Sequence, residues 1–346
     1  MTRIVVTGAA GYLGGAVSVA AGAAGAVRPV TRRPAPWLPG MPMVCEDLVA
    51  NADAAVEGAD AVVHLAGANE VVTREDPDAA LAATAAAARA VGVACRRQGV
   101  PRLVYVSTIH VYGESLAPGA LVTEDAVPAP RSAYSIARLT CEHLLAAGIG
   151  DDALVVLRLS NVVGAPADLS VDRWSLLAND LCQRAAQGRS LELRTPGQLR
   201  DFIALADVTR MVLAACDPNL LEAGTYNLAS GSTMTVAELA NLVADESEHA
   251  GLGRPEIVVQ SPPGGPLPGG PLPGVQDLGG QPPTGLPLLE ESPVGAGRYR
   301  IDTSRLGSRG LVATVPLGGA VADTLRLCSG QPSSGQPCSG QPSSGQ

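Results

Sequence analysis

A short β-branched run, Arg3–Thr7 (RIVVT), is followed at once by Gly8-Ala9-Ala10-Gly11-Tyr12-Leu13-Gly14 and then by an Ala-rich helical stretch, Gly14–Ala24. A strand that turns on glycine straight into a helix leaves the unpaired amides of the helix N-terminus facing the end of the strand. The first half of the chain repeats the alternation. Val27–Thr31, Ala61–Leu65 (AVVHL), Arg102–Ser107 (RLVYVS) and Ala153–Leu159 (ALVVLRL) read as strands. Residues near Ala52–Glu57, then Ala79–Gln98 and Ser135–Ala147, read as helices, the last two closed by Gly99 and Gly148. The strand runs are nearly continuous in apolar residues instead of alternating, as expected of parallel strands covered on both faces. The expected fold class is α/β, with a doubly wound parallel sheet.

The second half is less regular. Asp172–Gly188, Ala206–Cys216 and Val236–Ala244 read as helices. Thr235 followed by Glu238 forms a capping box ahead of the last of these. The composition then shifts. Pro263–Gly274 reads PGGPLPGGPLPG within a Pro/Gly-rich stretch, 261–297, that buries too little apolar surface to offset its ordering entropy. Order is expected to resume at Arg298–Leu306, and the end duplicates CSGQPSSGQ at Cys328–Gln336 and Cys338–Gln346.

The charge balance narrows the function classes. Twenty-four Lys and Arg stand against 33 Asp and Glu, a net charge of −9. That argues against nucleic acid or an anionic membrane surface as partner. No apolar run reaches the roughly 20 residues of a membrane span, and Met1-Thr2-Arg3 leaves no room for a signal peptide's charged region. Seven Cys without a CxxC, and only four His, give no metal-ligand cluster and suit a reducing, cytoplasmic setting.

In the glycine loop, Gly8 lets the chain turn, Gly11 lets backbone amides approach a pyrophosphate, and Gly14 lets the helix pack on the sheet. The GxxGxxG spacing resembles the extended short-chain dehydrogenase/reductase family, whose members act on nucleotide sugars. The resemblance covers roughly Met1–Ala244 and, weakly, Arg298–Leu306. It implies a Rossmann-like sheet, a smaller C-terminal α/β substrate lobe, a bound NAD or NADP and a homodimer. The expected division is 1–165 for the NAD(P)-binding domain, 166–260 with 298–327 for the substrate lobe, 261–297 for a disordered insertion and 328–346 for a disordered tail. Gly8, Gly11, Tyr12, Leu13 and Gly14 are expected on the cofactor. The second strand ends Val30-Thr31-Arg32-Arg33, with no acid for the ribose hydroxyls of NAD. Arg32 and Arg33 suit a 2′-phosphate, so NADP is expected ahead of NAD. Asp47, followed by Leu48, matches the family's adenine-side Asp, and Leu65-Ala66-Gly67, after His64, matches its cofactor-lining segment.

Val106-Ser107-Thr108-Ile109-His110-Val111-Tyr112-Gly113 resembles the family's catalytic hydroxyl segment, with Thr108 in that role and Ser107 beside it. Tyr134, at a helix start, matches the YxxxK tyrosine, which exchanges a proton with the sugar oxygen during hydride transfer. A phenol needs a nearby cation to work at neutral pH. The chain carries Arg138 where the family has Lys; its charge stays one helical turn away, but a guanidinium does not give up its proton. Family dehydratases place Asp-Glu after the catalytic Thr. Ile109 cannot donate a proton, which sets 4,6-dehydration aside, while His110 offers one acid/base group.

Three further segments match in order. Arg158–Gly164 resembles RxxNVYG, whose Asn, here Asn161, contacts the nucleotide sugar. Arg200-Asp201-Phe202-Ile203 with Asp207-Val208 resembles RDFIHVDDV, whose Arg pairs with the substrate pyrophosphate; Ala204 and Ala206 replace its usual His and first Asp. Tyr226-Asn227-Leu228 matches a structural YNL segment. The expected activity is an NAD(P)-dependent nucleotide-sugar epimerase or 4-ketoreductase. Two other readings stay open: a dinucleotide-binding sensor or scaffold that lost its chemistry with the Lys, and a reductase of a non-sugar ketone.

Overall fold

Seven parallel strands form the central sheet of the computed structural model, which describes residues 3–40, 42–260 and 297–330. Their order across the sheet is Gly224–Leu228, Leu154–Leu159, Leu103–Thr108, Ala61–His64, Arg3–Thr7, Ala26–Thr31 and Met43–Val44. The chain winds outward from Arg3–Thr7 in one direction and then, from Ala61–His64, in the other. The reversal leaves a crevice at the carboxyl ends of those two strands, directly above the glycine loop. Ala61–His64, Leu103–Thr108 and Leu154–Leu159 are buried at every position, which is why their sequences show no polar alternation.

Helices cover both faces. Tyr12–Ala24 and Leu205–Ala214 pack on one side, sharing a core with Val6, Val104 and Leu157. Ala52–Val56, Pro77–Arg97 and Ala133–Ile149 pack on the other around Val5, Leu103, Tyr105 and Val156. A third core joins the helices Leu177–Ala186, Val236–His249 and Leu317–Ser329 to short strands that include Leu191–Leu193 and Leu199–Ala204.

Pro77–Arg97 has 21 residues and a mean hydropathy of 1.3 in its most apolar window. It is therefore long and apolar enough to cross a membrane, contrary to the expectation that no run qualifies. Its Ala88, Val91, Ala94 and Cys95 are fully buried against the neighbouring layer. It crosses Ala133–Ile149 at two glycines: a Cβ on Gly148 would lie 2.8 Å from the carbonyl carbon of Gly92. Gly148 thus serves close helix packing and does not end its helix, which continues to Ile149.

Other boundaries also shift. The helix expected over Asp172–Gly188 occupies only Leu177–Ala186, because the Arg173 carbonyl is taken by the Leu176 amide and the Asn179 side chain in a turn. Val236–His249 runs five residues beyond Ala244. Gly224–Leu228 and Leu205–Ala214 fall within 166–260 yet belong to the large sheet and its covering layer. Cys328 and Ser329, expected in the tail, finish a helix that stops at Gly330, in the left-handed conformation (φ 71°). The remainder of that tail, with Cys338, and the Pro/Gly-rich insertion up to residue 296 lie outside the described residues. Cys45, Cys95, Cys141, Cys182 and Cys216 are buried free thiols.

Candidate active site

A cavity of about 550 Å³ opens at the crevice. One wall is the glycine loop. Gly8 has φ +69°, and a Cβ there would lie 2.8 Å from the Ala66 amide nitrogen and the Leu65 carbonyl carbon. Its carbonyl accepts from the Gly11 amide at 2.9 Å. No side chain caps the helix that begins at Tyr12, so its first amides are bare toward an anion. These features fit the diphosphate of a dinucleotide. The Tyr12 hydroxyl donates to the Gly164 carbonyl at 2.6 Å, leaving the backbone as this residue's route to a cofactor. Gly11, Leu13, Gly14, Leu65 and Gly67 line the same cavity.

His64 is fully buried, stacks on Tyr105 and shares a 2.8 Å hydrogen bond between its Nδ1 and the Thr7 hydroxyl. Burial, with the Arg138 charge, pushes its pKa down to about 3. It is a neutral element of the sheet.

The opposite wall carries Thr108, Tyr134 and Arg138. Thr108 ends the strand Leu103–Thr108, and its hydroxyl accepts from the His110 amide at 3.3 Å. Tyr134 stands in the first turn of Ala133–Ile149, which opens with a capping box between Ser132 and Ser135. Arg138 lies one turn later, its guanidinium carbon 5.0 Å from the centre of the Tyr134 ring. Its Nη2 donates to the Ala68 carbonyl at 3.1 Å and its Nη1 to the Tyr105 hydroxyl at 3.5 Å. Burial opposes the charge, but the phenols of Tyr134 and Tyr105 outweigh it and raise the Arg138 pKa. The larger head group fits because Gly67 has no side chain: a Cβ there would lie 3.2 Å from Arg138 Nη1.

Ser107 also lines the cavity, but its hydroxyl donates to Glu142. Glu142 in turn pairs with Arg158 at 2.8 Å, both largely buried. The Arg158 guanidinium lies 4.9 Å from the Tyr112 ring centre, and the Tyr112 hydroxyl donates to Asn227 Oδ1 at 2.6 Å. Segments singled out separately in the sequence therefore meet in one buried network beneath Thr108. Glu142 carried no signal of its own.

Asn161 also lines the cavity and donates through Nδ2 to the Asp201 carbonyl at 2.8 Å. The buried Asp201 carboxylate accepts from Ser160 and twice from Ser230. Arg200 is not among the lining residues; it donates to Gln198 Oε1 at 2.9 and 3.3 Å. His110 lines the cavity, and burial, then Arg200, hold its pKa down to about 4, with Glu70 acting the other way. Its imidazole is neutral near pH 7.

Arg32, Arg33, Asp47, Leu48 and Ala66 lie outside the lining. Arg32 and Arg33 are exposed just past the second strand, and Asp47 accepts from the amides of Val49 and Ala50. The cavity gains residues that the sequence reading passed over: Asn69, Glu70, Thr73, Arg74 and Arg173. Asn69 caps Glu70–Glu75 through the Val71 and Val72 amides, a signal visible as Asn-Glu before an apolar pair. Among the described residues no three His, Cys, Asp or Glu are placed to hold a metal ion.

A curated relative, GDP-6-deoxy-D-mannose reductase of Pseudomonas aeruginosa, is 29% identical over 192 residues, 54% of this chain. The chain spans 62% of that relative's length. Among solved structures, MoeE5 in complex with UDP-glucose and NAD aligns with a TM-score of 0.72 at 23% identity, covering 94% of this chain and 97% of that one. RMD from Pseudomonas aeruginosa, complexed with NADPH, aligns with a TM-score of 0.71 at 22% identity, covering 95% and 99%. The family model for the NAD dependent epimerase/dehydratase family matches residues 4–229. That description names dehydratases beside epimerases, so family membership does not separate the two. With a doubly wound parallel sheet, a bare-amide glycine loop at its reversal point and a family match over most of the described chain, the protein belongs to the NAD dependent epimerase/dehydratase family.

Proposed function

We propose that the protein is an NADPH-dependent reductase of a nucleotide-bound 4-keto sugar. The observation that carries this reading is the convergence of Thr108, Tyr134 and Arg138 on one cavity with the glycine loop. Bound reduced nicotinamide supplies a hydride. Tyr134 gives its phenolic proton to the carbonyl oxygen as the keto carbon becomes an alcohol. Thr108 holds the same oxygen, and Arg138, facing the Tyr134 ring, stabilises the phenolate left behind. The phenol regains its proton from water, since the guanidinium does not release one. The bare amides of the glycine loop would hold the cofactor's diphosphate. Arg32 and Arg33 support a 2′-phosphate, and the reductase relative supports the direction of hydride transfer. Ile109 supports leaving 4,6-dehydration out.

One observation favours a 4-epimerase as second reading. Arg138 cannot relay a proton to solvent, and an epimerase needs no relay, because Tyr134 returns the proton it took to the same oxygen. A homodimer is supported by exposed Val93 and Ile136 on the paired helices Pro77–Arg97 and Ala133–Ile149. Nicotinamide absorbance decides between the two chemistries. A reductase oxidises NADPH stoichiometrically with a dTDP-4-keto-6-deoxyhexose; an epimerase converts UDP-hexose without net change. Tyr134→Phe should lower either turnover by about 10²- to 10⁴-fold. Absence of turnover with every nucleotide sugar, restored by Arg138→Lys, would instead identify a degenerate site.

A further inference from the structure

Arg173 lies in the turn before the helix Leu177–Ala186 and lines the cavity. Its Nη2 donates to both Glu70 carboxylate oxygens at 3.1 Å, across 103 residues of sequence. Its Nη1 is buried and has no hydrogen-bond partner. A buried guanidinium N–H without an acceptor is costly, and an anion offsets that cost best, because charged N–H donors to anionic oxygens make the strongest pairs. Of the other two guanidiniums that line the cavity, Arg138 is committed to Ala68 and Tyr105 and Arg74 is exposed to solvent.

A second idle polar atom sits beside it. Asn179 is fully buried, donates through Nδ2 to the Arg173 carbonyl at 3.3 Å, and has an unpartnered Oδ1. The Asn179 side chain hydrogen-bonds the Tyr12 hydroxyl, and Arg173 is an electrostatic neighbour of that hydroxyl. Arg173 and the glycine-loop residues Gly11, Tyr12 and Leu13 line the same cavity. Glu70 balances its charge from the opposite side, at the start of Glu70–Glu75.

We propose that Arg173 is a diphosphate-binding residue of this cavity, charge-balanced by Glu70 until a ligand's diphosphate replaces that carboxylate. The inference rests on the reading above for its ligand class, since a dinucleotide and a nucleotide sugar both carry a diphosphate. A brace that merely ties the two segments together makes a different prediction. If Glu70 competes with the ligand for Arg173, its neutral variant binds anions more tightly; if the pair is only a brace, that variant binds them more weakly.

The test measures binding to the full chain: NADPH by nicotinamide fluorescence and UDP by calorimetry, with thermal melting to verify folding. Arg173→Gln should weaken at least one of the two by about tenfold, Arg173→Lys should fall between it and wild type, and Glu70→Gln should tighten the same ligand roughly threefold. Weakening confined to NADPH assigns the contact to the cofactor, and weakening confined to UDP assigns it to the substrate. Unchanged affinities in Arg173→Gln, or weaker binding in Glu70→Gln, overturn the proposal. Should Arg173→Gln not fold, the sign of the Glu70→Gln effect decides alone. A wild-type protein that binds neither probe overturns the functional reading along with it; one that turns over while Arg173→Gln binds equally well overturns only this inference.

Discussion

The two walls of the cavity are built from different materials. The glycine-loop wall is backbone, made by seven consecutive residues whose amides and carbonyls satisfy one another or wait for an anion. The facing wall is side chain, formed by Thr108, Tyr134 and Arg138 and backed by pairs that lie far apart in sequence: Ser107 with Glu142 and Tyr112 with Asn227. The first wall is intolerant of volume, because a single added carbon meets backbone that cannot move. The second is intolerant of lost charge, because each buried ion leaves its partner stranded.

The largest effect is expected on the side-chain wall. Glu142→Ala strands Arg158 and frees Ser107 in a site where both ions of the pair are less than a tenth exposed. Removing one partner of such a pair costs about 3–5 kcal/mol. Urea unfolding should show that loss, and a cost below about 1 kcal/mol would mean the network is not holding the wall. Gly14→Ala is the matching insult to the backbone wall. Its Cβ would overlap the Gly8 carbonyl oxygen and lie 2.8 Å from the carbonyl carbon. The expected loss is about 2–3 kcal/mol, with dinucleotide binding abolished. Unaltered NADPH affinity in this variant would show that the loop is not the cofactor seat.

That division also governs what the sequence revealed. The backbone wall was legible because its signal is local: Gly8, Gly11 and Gly14 lie between an apolar strand and a helix. Thr108 and Tyr134, which line the cavity, were legible because Val106–Gly113 and Tyr134-to-Arg138 resemble the family's segments. Glu70 and Arg173 were not, since nothing local marks two opposite charges 103 residues apart as partners. The late start of the helix at Leu177 was hidden for the same reason: Trp174 and Leu176 continue its apolar pattern, while the turn depends on the Arg173 carbonyl meeting Asn179. Gly148 misled because a glycine near a helix end reads as a stop, whereas here it admits Gly92 of the adjoining helix.

Toward protons the two histidines at the cavity behave alike. His64 packs behind the glycine loop and His110 lines the cavity, with pKa values pushed down mainly by burial to about 3 and about 4. The unfolded chain takes up a proton on each below pH 6.5, while the folded chain does not until much lower pH. Stability therefore falls as pH drops from 6.5 towards 4, by about 1.4 kcal/mol per pH unit for each His. Urea midpoints between pH 7 and pH 5 should decline in the wild type, and His64→Asn should roughly halve that slope. A slope unchanged by the substitution would mean that His64 is protonated in the folded protein.

The smallest effect tests the place where the two walls touch. Gly67 follows the strand that packs on Gly8, yet its missing side chain is what accommodates Arg138 from the other wall. In Gly67→Ala the new Cβ would lie 2.9 Å from Thr84 Cγ2 and 3.2 Å from Arg138 Nη1. The threonine methyl sits on a helix and yields little, so a cost of about 1–2 kcal/mol is expected. An ammonium is narrower than a guanidinium, and in an Arg138→Lys background the second clash disappears while the first remains. Gly67→Ala should then cost about half as much, a coupling of roughly 0.5–1 kcal/mol in a double-mutant cycle. Equal costs in both backgrounds would place the whole penalty on Thr84 and break the link between Gly67 and the guanidinium. Coupling of the expected size would mean that replacing the family's Lys by Arg draws on space provided by the cofactor-side segment, so that neither wall can be exchanged without the other.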